Sequence, residues 1–459
     1  MHEIERLKQF VDVAVDYAGE KIEGILARGT ISTGSQIRFS QNAIDISKRW
    51  EGLELDLFLI VEGAKTGFTN RSVTSENEVK ETIDDAIAFI KRLPESKFFA
   101  GVEDDAQQYN KLSGCYDSNM DEFTQEVPEY VNAAIDAALA KGAKRVAGAL
   151  KFSEETIFFR SSFGPQADEK RTQYDFNIRA FQEELDYSGQ GLTCGTIPSE
   201  AEDDFVNAGE KAGRLSKMAE GAEQGEPGTY DVILSPTVAA NLIGYIPGAA
   251  NPFLVLIGMS PLGDKMGEQI APESITVQDA PHVEGGVGSK AFDMEGTATQ
   301  ETDIVEDGVL KSFIHNTSTA RMYETESTGN SDAVSLGRGT KMLLPAPTNL
   351  VFDNGDYSFE ELIEGNDPAI YVTSNWYTRF QNYQSGEFSS IPRDAMFLIK
   401  NGAMKPIKNL RISDNLLRMF SNISALGNDR RQVYWWEVNT PTFIPSMRIE
   451  DCTFSAATK

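Results

Sequence analysis

Histidine is scarce in this 459-residue chain, which carries only His2, His282 and His315. Histidine is the commonest metal ligand and the usual general base near neutral pH, so three scattered copies leave little material for either chemistry. His2-Glu3 opens like a zinc-protease helix, but Arg6 and Leu7 stand where a second histidine would complete HExxH or HExxxH. His282 sits in a glycine-rich loop, APHVEGGVGSK, and His315 at alternating spacing in KSFIHNTST, patterns that suit structural or exposed histidines. Cysteine is as sparse. Cys115, Cys194 and Cys452 are far apart with no CxxC, which excludes a disulfide framework and a cysteine-rich zinc site and fits a reducing cytoplasm.

Basic charge is also short, with 42 basic against 70 acidic residues and a net charge of -28, so the mean field repels phosphate backbones and argues against nucleic acid as a partner. The excess reads as a solvated surface of the kind a salt-rich host favours, with a polycation-binding face as the alternative. Long apolar runs are missing. The most apolar window, Asn251 to Gly263, is too short and too broken by Pro and Gly to span a bilayer, and no membrane association is expected. The opening MHEIERLKQF lacks the basic and apolar regions of an export signal, which points to a cytoplasmic protein. No GxSxG, GxxxxGK[ST] or helix-opening GxGxxG occurs, and Gly285-Gly286-Val287-Gly288, lacking a lysine and a following helix, reads as a flexible turn.

What remains is ordinary globular material, 40% hydrophobic and 10% aromatic, enough for two or three domains. Apolar residues recur at helical spacing from Glu3 to Glu23. Alternating strands follow, with turns expected at Ser40-Gln41-Asn42 and at Glu51-Gly52. A helix around Val127 to Ala140 and a second meander repeat that order, and Ser35 to Phe39 aligns with Glu155 to Phe159, suggesting an internal duplication. A further helix is expected over Glu202 to Glu220, before a Gly- and Pro-bearing boundary at Glu223 to Tyr230. The expectation is therefore an α+β fold. Residues 1–222 form a duplicated helix-plus-antiparallel-sheet domain, and residues 228–459 a mainly antiparallel β domain. Asp293, Glu295, Asp303 and Glu306 read as a solvated acidic edge.

Three C-terminal segments resemble the TldD/PmbA family, also described as modulators of DNA gyrase. The first runs from Phe292 to Ser331 and holds Phe292, Asp293, Glu295, Gly296, then Asp307-Gly308-Val309-Leu310, Thr319-Ala320 and Ser327-Thr328-Gly329-Asn330. The second is YQSGEFSS with the following Asn401-Gly402 hairpin and Asp414-Asn415 helix start, and the third is Pro445 to Ile449. Asp-Gly and Asn-Gly are type I′ hairpin signals and Asp-Asn a helix cap, so much of the shared pattern is scaffold. The resemblance implies a division of labour between subunits. TldD-type members carry HExxxH and a cysteine ligand for zinc. Here the corresponding stretch, Ser235 to Gly263, has no His or Glu, and the turn Trp376 to Phe380 has no Cys. Met259 to Ile270 (MSPLGDKMGEQI) is similar to the PmbA/TldE branch.

The resemblance implies a non-catalytic PmbA/TldE-like subunit with no cofactor of its own. It pairs with a zinc-bearing TldD-type metallopeptidase subunit, or with itself, around unfolded peptides. Ser327, Thr328, Gly329, Asn330, Trp376, Tyr377, Ser385, Gly386 and Phe388 are the candidate chamber or partner-contact residues. The alternatives are a homodimeric peptide-binding or scaffold protein and, less favoured, a hydrolase built on a non-zinc site around His315 or the acidic loop.

Overall fold

The computed structural model describes residues 2–337, 341–364 and 368–457. The fold is α+β, and the first half runs helix, three strands, helix, twice over. α1 (His2–Gly19), β1 (Gly24–Ser40), β2 (Ala43–Glu62), β3 (Lys65–Ser72) and α2 (Glu76–Ile90) form the first set. α3 (Met120–Ala140), β4 (Arg145–Ser161), β5 (Gln166–Phe181), β6 (Ser188–Gly195) and α4 (Glu202–Met218) form the second. All six strands join one antiparallel sheet in the order β3-β2-β1-β4-β5-β6. The two sets meet at a long β1–β4 seam, running from Leu26 opposite Ser161 to Phe39 opposite Gly148.

Successive strand residues face opposite sides, and the sequence uses both sides of this sheet. Ile25, Ala27, Ile37 and Phe39 of β1, with Val146, Leu150, Phe152 and Phe158 of β4, pack beneath the helices. Leu26, Ile157 and Phe159 point the other way and meet Ala291, Phe292, Met294 and Leu343 from the second half of the chain. One face thus holds the helices and the other docks the C-terminal half.

Two local expectations need correction. Gln41 and Asn42 take positive φ, 48° and 69°, and make the anticipated turn. Glu51-Gly52 does not turn; β2 runs straight through it with Gly52 opposite Ser32, and the chain reverses at Gly63, where φ is 55°. The cause lies across the strand pair, where the Trp50 indole covers Gly34, its directly opposed neighbour, and supplies the packing that glycine lacks. Helix α2 was not anticipated. Ser75 caps it by accepting from the Glu78 amide, and Val79, Ile83, Ile87 and Ile90 give it a buried stripe.

The second half is mainly β, but three of its pairings run parallel. Its larger sheet closes on itself: Ala369–Asn382 pairs Gly228–Leu234, which pairs Met447–Ala456, then Leu410–Asn415, then Glu387–Lys400, which returns to Ala369–Asn382. Closure leaves these five strands without a free edge. Cys452 is fully buried in this core. The Asp307-Gly308 and Asn401-Gly402 hairpins form with positive φ at all four residues, and Asn415 caps Leu416–Ser421 by accepting from the Arg418 amide.

α4 lies unusually close to its neighbours. A Cβ on Gly209 would fall 2.1 Å from the Ala134 carbonyl oxygen of α3, and one on Gly191 would fall 1.9 Å from the Ala208 carbonyl oxygen of α4. Gly209→Val is accordingly expected to cost about 2 kcal/mol or more through overpacking against rigid backbone. Gly52→Ala, with nothing near the added atom, should be nearly silent. Urea denaturation midpoints of the two variants check the contrast.

Candidate functional site

The two segments that resemblance matches to the zinc-bearing positions do come together. Ser235 to Gly263 folds into three short helices, α5 (Pro236–Leu242), α6 (Tyr245–Gly248) and α7 (Pro252–Leu256). Beside α5, the strand Ala369–Asn382 bulges between Trp376 and Arg379, with Tyr377 at φ 58°. Asn375 Nδ2 donates to Asn241 Oδ1 at 2.7 Å and to Ser390 Oγ at 2.8 Å. Thr378 Oγ1 donates to the same Asn241 oxygen at 2.7 Å, and Asn241 Nδ2 donates to the Glu437 carbonyl at 2.6 Å. A cavity of about 200 Å³ opens beside this knot, lined by Asn241, Gly244, Tyr245 and Glu437.

These side chains do not fit zinc. The ion takes imidazole nitrogen, thiolate or carboxylate, whereas the knot consists of amides and hydroxyls bonded to one another, with only the amide oxygen Asn375 Oδ1 among the described side chains of the knot left without a partner. Its one acid, Glu437, accepts the Tyr377 amide at 3.3 Å through Oε1. Among the described residues, three metal-type donors converge only at Glu103, Asp104 and Asp105. There Glu103 Oε1 is occupied by the amides of the two aspartates.

The nine candidate contact residues divide sharply. Trp376 and Tyr377 are exposed, at 38% and 49%, with Arg393 over the Trp376 ring and Arg379 over Tyr377. Ser327, Thr328, Gly329 and Asn330 instead form an inner turn. Thr328 Oγ1 accepts the His315 amide at 2.7 Å, and buried Asn330 donates to Asp279 Oδ2 at 2.5 Å. Gly329, at φ 68°, is pressed against the Ala298 carbonyl. Phe388 is fully buried, Gly386 sits at φ 78°, and the Ser385 carbonyl accepts from the Asn415 amide group. Asn330 and Phe388 therefore present no surface to a chamber or partner. They brace the loops from inside.

The acidic loop is only half a solvated edge. Asp303 and Glu306 are exposed, but Asp293 and Glu295 are 3% and 1% accessible. Asp293 accepts the amides of Glu295, Thr297 and Ser331 at 2.8 to 3.0 Å. Glu295 accepts the Thr317 amide at 3.1 Å and the Ser331 hydroxyl at 3.1 Å. Burial raises both carboxyls above the usual range, and the Asp293 charge pushes Glu295 further. His315, also buried, is lowered to about 4 by desolvation and is neutral at neutral pH. His282 Nε2 lies 3.1 Å from Thr299 Oγ1. The glycine loop is pinned, because Gln432 Oε1 accepts the Val287 amide at 2.7 Å and Asn349 Oδ1 accepts that of Gly288 at 2.9 Å. The flexible-turn reading fails because these two acceptors arrive from distant parts of the chain, Gln432 within the strand Arg431–Trp435 and Asn349 just before Leu350–Phe352.

Glu295 also touches a much larger cavity of about 910 Å³, walled by Phe58, Phe68, Phe89, Phe98 and Phe99. α2, β3 and the irregular segment 91–119 enclose it, and Phe98 packs edge-on against Phe253 of α7 at 5.1 Å. That segment is tied across the two halves: Arg321 donates to the Ala100 and Val102 carbonyls, and Tyr109 Oη donates to the Gly296 carbonyl at 2.8 Å.

A carboxyl whose folded pKa is raised stabilises the fold below its unfolded pKa and loses that stability as pH climbs through the folded value. The protein should therefore melt lower as pH rises from the ordinary glutamate range through neutrality. Glu295→Gln should flatten that dependence, and thermal melts at pH 5 and pH 9 measure it.

Residues 227–456 match the family described as the PmbA/TldA metallopeptidase C-terminal domain. A metalloprotease of Methanocaldococcus jannaschii is 30% identical over 247 residues, covering 52% of this chain and 52% of its own length. A metalloprotease of Methanothermobacter thermautotrophicus is 32% identical over 226 residues, covering 49% and 47% respectively, so the chain spans about half the length of these relatives. TldE of Thermococcus kodakarensis superposes with a TM-score of 0.82 at 18% identity, over 97% of this chain and 100% of that one, which fixes the fold. With a family match that spans half of the chain, over the half that carries the closed sheet and the Asn241 knot, the protein belongs to the PmbA/TldD metallopeptidase family.

Proposed function

We propose that this chain is the non-catalytic, TldE-type subunit of a zinc metallopeptidase assembly that processes unfolded peptides, with hydrolysis carried out by a TldD-type partner. The observation that carries this reading is the Asn241 knot. Asn375 and Thr378 spend their donors on Asn241, and Asn241 on the Glu437 carbonyl, where a catalytic subunit needs zinc ligands and a carboxylate to activate water.

The surface beside the knot supports the partner half of the proposal. Trp376, Tyr377 and Trp436 are exposed at 38%, 49% and 56%, and Arg379 and Arg393 stack on the first two. Exposed Trp, Tyr and Arg in one place is the composition of interface hot spots. The phenylalanine-lined cavity of about 910 Å³ offers burial to apolar peptide side chains without selecting a sequence.

Mixing the purified chain with the TldD-type protein of the same host, with zinc content and peptide cleavage followed, tests the proposal. Cleavage should need the partner, stop on chelation and persist when Glu437→Gln removes the only acid at the knot. Metal-independent cleavage by the chain alone sinks the idea, and a peptide-binding homodimer indifferent to the partner favours the scaffold alternative. Trp376→Ala with Tyr377→Ala should weaken subunit association by about 2 kcal/mol or more in sedimentation titrations, while the fold and its melting point stay put.

A further inference from the structure

A third cleft, of about 460 Å³, lies where α4 and β6 of the first half meet the strand Arg431–Trp435 of the second. It is polar where the large cavity is apolar. Lys211 and Arg214 enter it from α4 and Arg431 from the opposite wall, with Asn207 and Cys194 between them. Three cations gathered in one cleft stand out in a chain whose net charge is -28.

Their partners do not account for them. Arg431 donates to Thr237 Oγ1 at 3.0 Å, but its buried Nε has no acceptor. Lys211 and Arg214 have no hydrogen bond or ion pair among the described residues. The nearby carboxylates are engaged elsewhere. Glu210 is paired with Lys141 at 3.3 Å, and Asp429 accepts the amide and the hydroxyl of Ser446, both at 2.7 Å. Asp204, which lines the cleft from α4 as Lys211 and Arg214 do, is beside the Tyr174 hydroxyl. Burial, then the charge of Arg431, push Lys211 well below its usual range; Asp429 pulls part of the way back, and Arg214 adds a smaller push. Like charges in a partly desolvated cleft are costly unless a counter-charge arrives, and removing that cost is what an anionic ligand supplies.

We propose that this cleft binds a small oxyanion, phosphate or carboxylate, held mainly by Lys211 and Arg431 with Arg214 at its mouth. The proposal is independent of the peptidase-subunit reading, because it uses neither the Asn241 knot nor the large cavity. Binding links α4 to the strand Arg431–Trp435 and so couples the two halves of the chain.

Isothermal titration of the full-length chain at constant ionic strength and pH 8 tests this, with inorganic phosphate in one arm and citrate in the other. Saturable one-to-one binding is expected in at least one arm, and the tighter arm identifies the source of the oxyanion. Lys211→Gln and Arg431→Gln should each weaken binding at least tenfold. Lys311→Gln, an exposed lysine paired with Glu306, should leave it unchanged. Without added anion, Lys211→Gln should melt no lower than wild type, because it removes an amine that burial and Arg431 disfavour. No saturable binding in either arm, or unchanged affinity in Lys211→Gln, overturns the proposal.

Discussion

The β1–β4 seam is the interaction on which the rest of the molecule depends. It runs antiparallel without a register break, from Leu26 opposite Ser161 to Phe39 opposite Gly148, and turns two three-stranded meanders into one six-stranded sheet. A slip of one residue would exchange the faces, sending Ile37 and Phe39 away from the helices and burying their polar neighbours. The helix layer and the docking face are specified together. Leu26, Ile157 and Phe159 reach the Phe292 segment only because Ile25, Ala27 and Phe158 are committed to the opposite side.

That docking brings the acidic turn and the large cavity to the boundary between the halves. Asp293 and Glu295 lie on the turn whose Phe292 packs on Phe159, so their burial follows from the sheet's second face being apolar. The segment 91–119, tied to Gly296 and Arg321, closes the same boundary from the side. Beside it, the Asn241 knot holds α5 and the bulged strand together through hydrogen bonds between side chains.

Much of this was legible in the sequence, and the gaps have a common physical origin. Period-two alternation gave β1 and β2, helical spacing gave α1, α3 and α4, and Asp-Gly and Asn-Gly gave the hairpins. α2 carries the same periodic signal at Val79, Ile83, Ile87 and Ile90. Glu51-Gly52 misled because Gly52 stays in register opposite Ser32, in a strand pair that Trp50 anchors by covering Gly34. The acidic turn and the glycine loop misled for the same reason at longer range: the donors to Glu295 come from Thr317 and Ser331, and the acceptor for Val287 from Gln432. Family resemblance pointed to the two segments that meet at the Asn241 knot. It could not say that Asn241, Asn375 and Thr378 bond one another there, nor that Lys211 and Arg431 line one cleft.

The closed sheet also fixes an order of events during synthesis. All six strands of the first sheet are complete once Gly195 has left the ribosome, and that half can fold while translation continues. The strand Gly228–Leu234 cannot settle so early, because its neighbours are Ala369–Asn382 on one side and Met447–Ala456 on the other. From Leu234 until Ala369 is made, this strand has neither neighbour for its backbone groups. Its second edge stays open longer, until the last ten-residue strand, Met447–Ala456, appears.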